Sequence, residues 1–236
     1  RFGDMLGRTT LDGASLRPYI VQLNEYGASE HGLAEAFRID YTLATTFVDT
    51  IAAGKIPGEE HKRVHVNRLV FKPNRTKRML ASAFGMCIQN ASRTYTDSDF
   101  PSTSREPCGW RCTVNAILSG NYAGKTFYYM LMPNVRKLQA SKCRENCLIG
   151  ATQIMIALKC HQLEHGDLPD TLDELVPTYF DAVPLDDFDG KPMKYSKDKR
   201  VVYAVGTDLA DNGGVAEGDK ESVIADGYDV IYKIPF

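Results

Sequence analysis

The sequence His161-Gln162-Leu163-Glu164-His165 sets two imidazoles four residues apart with a carboxylate between them. On a helix, residues four apart share a face. His161 and His165 could therefore hold one zinc ion while Glu164 serves as the general base of a hydrolase. A third ligand would have to come from the downstream chain, which reads as strand and loop. His61 and His65 repeat the spacing inside a basic run, where repulsion disfavours a dication.

Cysteine offers a second chemistry. Cys108 and Cys112, and Cys143 and Cys147, carry equal four-residue gaps on two expected helices. Sulfurs four apart on one helix cannot bridge each other without distortion. Pairing between the helices is feasible, and two such disulfides would each stabilise the fold by ~2–4 kcal/mol. A zinc site made from all four thiolates is a second reading, although structural zinc more often uses a two-residue gap. Buried free thiols are the third, and Cys87 and Cys160 fit it.

Residues 61–78 hold seven Lys and Arg and no acid. Such a run can touch phosphate or lipid headgroups, or be an ordinary solvated face. Phe71 is its single aromatic, whereas single-strand binders interleave several, so no nucleic-acid partner is expected. No glycine-rich phosphate loop follows a strand and no nucleophile elbow occurs, so the signals of phosphoryl and acyl transfer are missing.

These side chains depend on elements that apolar spacing outlines. Residues 12–25 and 31–53 read as helices, the second with Leu33, Phe37, Tyr41, Ala44, Phe47, Val48 and Ile51 on one face. Gly54 and Pro57-Gly58 end it. Pro73 opens another, with Met79, Leu80, Ala83, Phe84 and Ile88 apolar. Residues 92–107 read as a polar loop, 108–118 as a short helix and 121–124 as a turn. Residues 134–165 are the clearest element: Asn134 is the N-cap, and Ala140, Cys143, Cys147, Ala151, Ile154 and Leu158 form one stripe. Gly166 stops that helix, and Thr171 and Glu174 stand at capping-box spacing. After Pro184 the period becomes two. Residues 193–196 and 201–205 predict a hairpin, and 228–234 a third strand.

Hydrophobic residues are 43% and charged residues 25% of the 236, which fits one large folded domain or two small ones. The net charge of −2 exerts no global pull on nucleic acid or acidic membranes. No stretch approaches the roughly 18–20 apolar residues that span a bilayer. The chain starts at Arg1 rather than Met, so a mature form, or one cut downstream of a targeting segment, is expected.

The order of signals after the long helix carries a resemblance. It runs from His165-Gly166-Asp167-Leu168-Pro169 through Leu172-Asp173-Glu174-Leu175-Val176-Pro177. It continues with Pro184-Leu185-Asp186-Asp187-Phe188-Asp189-Gly190-Lys191-Pro192 and ends at Tyr203-Ala204-Val205-Gly206-Thr207-Asp208. This order resembles the post-helix region of major pseudopilins of bacterial type II secretion, and also a group of uncharacterised bacterial envelope proteins with the same ending. Asp187 stands where the turn usually has proline. Residues 1–133 precede the long helix, whereas in a pseudopilin the membrane helix runs directly into it, so a standard filament subunit is not implied.

Apolar spacing makes residues 1–133 a mainly helical part, and the resemblance implies a pseudopilin-like part over 134–236, in which the long helix packs on a small three-stranded antiparallel sheet; together they predict an α+β fold. The resemblance implies the periplasmic or extracytoplasmic side of a bacterial cell envelope, a membrane anchor upstream and envelope proteins as partners. It also implies calcium in the acidic loop before the last strand, with Asp208, Asp211 and Asn212 as ligands and Asp226 or Asp229 closing the set. Carboxylates, amides and carbonyls on a glycine-rich loop supply the hard oxygens calcium takes; the alternative is a solvated loop. The leading expectation is a non-enzymatic structural or adaptor protein. A zinc hydrolase at His161 and His165 and a calcium-binding interaction module stand as alternatives.

Overall fold

The computed structural model describes residues 13–27, 31–65, 67, 70–99, 120–132, 134–215 and 228–236. Its described helices are α1 (Gly13–Gly27), α2 (His31–Ala52), α3 (Pro73–Asn90), α4 (Tyr122–Leu131) and α5 (Val135–His165); its strands are β1 (Lys55–Ile56), β2 (Glu59–Arg63), β3 (Lys194–Ser196), β4 (Val201–Ala204) and β5 (Val230–Lys233). The fold is mixed helix and antiparallel sheet. Among the described residues, no helix is long and apolar enough to cross a membrane.

Helix α5 follows from its sequence at both ends. Asn134 Oδ1 accepts the Lys137 N–H at 3.2 Å, satisfying a donor that the first turn leaves open. At the other end Gly166 takes φ +88°, and its N–H returns to the Gln162 carbonyl at 2.8 Å. Between them Ala140, Cys143, Cys147, Ala151, Ile154 and Leu158 are all buried, as the stripe predicts.

Contacts divide the chain into two units, and the division differs from one at 133/134. One unit holds α1, residues 94–98 and the chain from 139 onward. The other holds α2, β1, β2, α3, α4 and the start of α5 up to residue 138. Helical periodicity marks a buried face on α1 without saying what buries it. Leu16 and Ile20 join the core made by α5 and the sheet.

In that first unit the sheet order is β3-β4-β5, antiparallel throughout, with Tyr195 opposite Val202 and Val202 opposite Tyr232. Successive side chains of a strand point to opposite faces. Val202 and Ala204 enter the core shared with α5. Val201 and Tyr203 are buried too, beneath a glycine turn: a Cβ on Gly214 would lie 3.1 Å from side-chain carbons of both. The chain leaving α5 is held by Glu174, whose Oε1 accepts the Asp170 and Thr171 N–H groups at 2.8 Å, the expected capping box of the 3-10 turn Leu172–Leu175. Leu168, Leu172 and Leu175 anchor it to the core.

In the second unit the expected faces of α2 and α3 meet. Phe37, Ala44, Val48 and Ile51 pack with Leu80, Ala83, Phe84 and Cys87. Phe127 of α4 sits edge-on to Phe47 at 5.5 Å and to Phe71 at 5.4 Å, a favoured arrangement for two rings. The turn expected at 121–124 is instead the start of α4. Gly124 lies inside that helix for steric reasons: a Cβ there would overlap Thr76 Oγ1 and the Asn121 amide. Strands β1 and β2 form a short hairpin where no strand is expected. The residues expected as a helix at 108–118, and the loop beyond residue 99, lie outside the described residues.

Candidate functional site

The most connected polar site in the first unit centres on Asp186, in the turn between Pro184 and Pro192. This turn closes on itself: the Asp186 N–H donates to the Lys191 carbonyl at 2.7 Å, the Gly190 N–H to the Asp186 carbonyl at 2.8 Å and the Met193 N–H to the Pro184 carbonyl at 2.9 Å. Gly190 takes φ +73°, a conformation that disfavours side chains. The Asp186 carboxylate is fully buried. Its Oδ1 accepts the Phe188 N–H at 2.8 Å and the Cys147 S–H at 3.5 Å, and its Oδ2 accepts the Val205 N–H at 2.6 Å. One side chain thus ties α5, the turn and the end of β4 together. Burial raises its pKa above the ordinary carboxylate value, with a smaller push from the charge of Asp189 and opposing pulls from the two backbone N–H bonds.

Asp187 faces α5. Its Oδ2 meets Lys142 Nζ at 2.8 Å and accepts from Asn146 Nδ2 at 3.0 Å, with both charged side chains mostly buried. Its N–H donates to Cys147 Sγ at 3.4 Å. Residues 94–98 strap the turn from outside: the Tyr95 N–H donates to the Asp187 carbonyl at 2.9 Å and the Thr96 N–H to the Phe188 carbonyl at 3.0 Å.

Beside this turn lies a cleft of about 450 Å3 lined by Ile20 and Leu23 of α1, Asn146, Ile149, Gly150 and Gln153 of α5, and the segment from Phe180 to Leu185 with Asp187. Its lining is mixed: Ile20, Leu23, Ile149 and Phe180 stand beside polar Asn146, Gln153 and Asp181. Leu185 is 61% exposed, large for a leucine held in a fixed turn. Asp181 gives the cleft an acidic group, while Asp187, which also lines it, is neutralised by Lys142. Gly150 lets the turn approach α5, since a Cβ there would lie 3.1 Å from Pro184 and Met193.

The histidine motif is built differently from a zinc site. The His161 and His165 rings stack, with centroids 4.3 Å apart and planes 10° apart. His161 Nδ1 lies 3.1 Å from the Asp167 carbonyl and His165 Nδ1 3.3 Å from the His161 carbonyl. A carbonyl only accepts, so both Nδ1 atoms carry protons. Stacked, parallel rings direct their remaining lone pairs side by side rather than toward one point. Glu164 is engaged elsewhere: Arg17 Nη2 donates to its two oxygens at 3.0 and 3.3 Å, and the Tyr179 hydroxyl donates at 2.8 Å. Those bonds, Arg17 first and Tyr179 second, hold its carboxyl below the usual range. Arg17 also lies over the Tyr179 ring, 5.0 Å from its centroid. The motif thus joins α1 to α5.

The described carboxylates of the acidic loop accept bonds mainly from within the loop. Asp208 accepts from the Ala210 N–H at 3.2 Å and from Asn212 Nδ2 at 3.4 Å, and Asp211 from the Gly213 N–H at 2.9 Å. Asp229 is buried and accepts the Asn212 N–H at 3.2 Å and the Gly214 N–H at 2.7 Å. Of the expected calcium ligands, Asp208, Asp211 and Asp229 thus act as turn and loop acceptors and Asn212 as a donor; Asp226 lies outside the described residues. No group of three or more His, Cys, Asp or Glu is placed to share a metal ion among the described residues.

No disulfide joins the described cysteines. Cys143 and Cys147 are free and fully buried, as are Cys87 and Cys160; Cys108 and Cys112 lie outside the described residues. Cys143, Cys147 and Cys160 of α5 all belong to the core shared with the sheet, so they act as small core residues. Burial pushes every one of the four up, Cys87 and Cys160 to about 11, with neighbouring Asp187 and Asp186 adding to the rise at Cys143 and Cys147.

Sequence reasoning missed Asp186. The one signal was its place at the head of a turn ending in Asp189-Gly190, which reads as a solvated turn until the turn is seen to fold inward. Comparison of the chain with protein-family profiles, curated proteins and solved structures returned no match.

Proposed function

We propose that the chain is a non-enzymatic structural or adaptor protein of the bacterial cell envelope, with a pseudopilin-like C-terminal module that presents the cleft beside Leu185 to a partner protein. The observation that carries this reading is that α5 is followed by a capped turn, an aromatic–glycine turn pinned through Asp186 and then the antiparallel sheet that roofs α5. That order of elements is the one the type II secretion resemblance implies. The titratable groups support a non-enzymatic role. Glu164, Asp186, Asp208, Asp211 and Asp229 are all committed to bonds that hold the fold. The hydrolase reading requires Glu164 to face a metal between the imidazoles, and its ties to Arg17 and Tyr179 oppose that.

Location and surface are tested together. The chain should be digested by protease added to spheroplasts of its host and protected in intact cells; protection in both would sink the envelope assignment. A photo-crosslinking residue at Leu185 should give one discrete protein adduct in the envelope fraction, while one at Lys233, away from the cleft, should not. Equal adducts from both positions would remove the cleft from the proposal.

A further inference from the structure

The net charge of −2 conceals two opposed fields. Across the sequence of the helical unit (residues 30–93 and 99–138) stand fifteen Lys and Arg against eight Asp and Glu; across the other unit stand thirteen against twenty-two. A surplus of this size on a small unit sets up a potential that selects charged partners.

The surplus is densest between residues 61 and 78, and most of its described cations are exposed. Lys62, Arg63, Lys72, Arg75 and Arg78 all lie on the surface. Some basic side chains of the unit are matched: Lys77 meets Asp49 and Lys62 meets Glu59, both at 2.8 Å, and Arg38 meets Glu35 at 3.0 Å. Lys55, Arg63, Lys72 and Arg78 take part in no ion pair among the described residues. Lys55 and Arg63 are also register partners across the β1–β2 hairpin. Like charges directly opposite on a ladder work against it, and an overlying anion removes that penalty.

Exposed apolar groups accompany these cations. The Ala123 N–H donates to the Val70 carbonyl at 3.0 Å, and the Lys72 N–H to Asn121 Oδ1 at 2.7 Å. These bonds hold residues 70–72 against 121–123, so Val70, 36% exposed, and Tyr122, 44% exposed, share a corner with Lys72. Phe71, the run's one aromatic, is turned inward, 2% exposed and edge-on to Phe127. It is withdrawn from any stacking on a base, which is the main source of single-strand affinity. A lipid headgroup layer asks for what remains. Basic side chains near an anionic leaflet contribute ~1 kcal/mol each, and tyrosine with a small aliphatic residue suits the interfacial zone.

We propose that this corner of the helical unit docks on an anionic lipid surface. Lys72 and Arg75 meet the phosphates, Val70 and Tyr122 enter the interface, and Lys55 and Arg63 add attraction from the hairpin. The inference rests on charge and exposure and is independent of the cleft function above.

The test is co-sedimentation of the full chain with phosphatidylcholine vesicles with and without phosphatidylglycerol. Binding is expected with the anionic vesicles only, and should weaken as salt rises. Lys72→Glu/Arg75→Glu should weaken it roughly thirtyfold or more, from two contacts of ~1 kcal/mol each. Lys191→Glu/Lys233→Glu, with the same change in net charge on the other unit, should leave it unchanged. If the first variant fails to fold, Lys55→Glu/Arg63→Glu on the hairpin gives the same reading with a smaller loss. The proposal is overturned by no anionic binding at low salt, by equal binding to both vesicle types, by equal loss in the two charge-matched variants, or by tighter binding to an oligonucleotide than to vesicles.

Discussion

The two units close their cores by different means. The unit built on α5 buries carboxylates: Asp186 takes the N–H groups of Phe188 and Val205, and Asp229 those of Asn212 and Gly214. The helical unit is closed mainly by aromatic and aliphatic contacts, with a polar knot where Asn121 accepts from Lys72 and bonds Thr76. The difference follows from backbone accounting. A helix pairs its own backbone groups except the N–H groups of its first turn and the carbonyls of its last, so a core of helices needs polar help mainly at helix ends, which is where Asn121, before α4, and buried Asn90, the last residue of α3, sit. Short strands joined by turns leave N–H groups pointing inward, and each needs an acceptor. The number of chain reversals near a core sets how much polarity it buries.

The largest effect expected in either unit comes from Phe188→Ala. It removes a fully buried ring from beside Tyr95 and should cost about 3–5 kcal/mol in denaturant unfolding. A loss under about 1 kcal/mol would mean the strapped turn is not part of the core. Asp186→Ala should follow at about 3 kcal/mol, because it strands two backbone donors in a dry site. If it cost no more than Asn121→Ala, the contrast between the units would fail. Within the helical unit the main effect should be steric: Gly124→Ala forces α4 off Thr76 and should cost about 1–3 kcal/mol.

Two carboxylates sharpen the comparison through pH. Asp186 has a raised pKa in the fold, so the folded state holds its proton more readily than the unfolded chain, and its contribution to stability falls as pH rises through the folded value. Glu164 has a depressed pKa, so its contribution is present above the unfolded value and is lost as pH falls through the folded one. Glu164→Gln should therefore flatten the acid-side loss of stability while lowering neutral stability by about 1 kcal/mol or less, since the pair is partly solvated. A steeper acid limb in the variant would contradict this assignment. The smallest expected effect has the opposite sign. Gly85→Ala in α3 meets nothing within 4 Å and should stabilise by up to about 1 kcal/mol, read as a raised Tm.

Where local pattern and packing agree, the chain could be read directly. The stripe of α5, the glycine after it, the Thr171–Glu174 box and the three strands after Pro184 all follow from spacing and caps. Other features needed the partner in view. Strand β2 is Glu-Glu-His-Lys-Arg, which has no apolar alternation to announce it. Gly124 reads as a turn residue, because nothing near it in sequence hints at Thr76. The candidate site was less visible than the fold. Histidine and cysteine spacing suggested metal or disulfides, but spacing says which side chains share a face and not what already occupies that face. Glu164 is taken by Arg17, and the thiols of Cys143 and Cys147 by the core.

The thiols of α5 owe their inertness to the sheet above them. Once Cys143 and Cys147 lie under the sheet, with protons held tightly, oxidants and alkylating reagents find no thiolate to attack. Before that they stand open on a nascent helix. Where an oxidant is present, the fraction of time the sheet spends open over α5 sets how fast these sulfurs react.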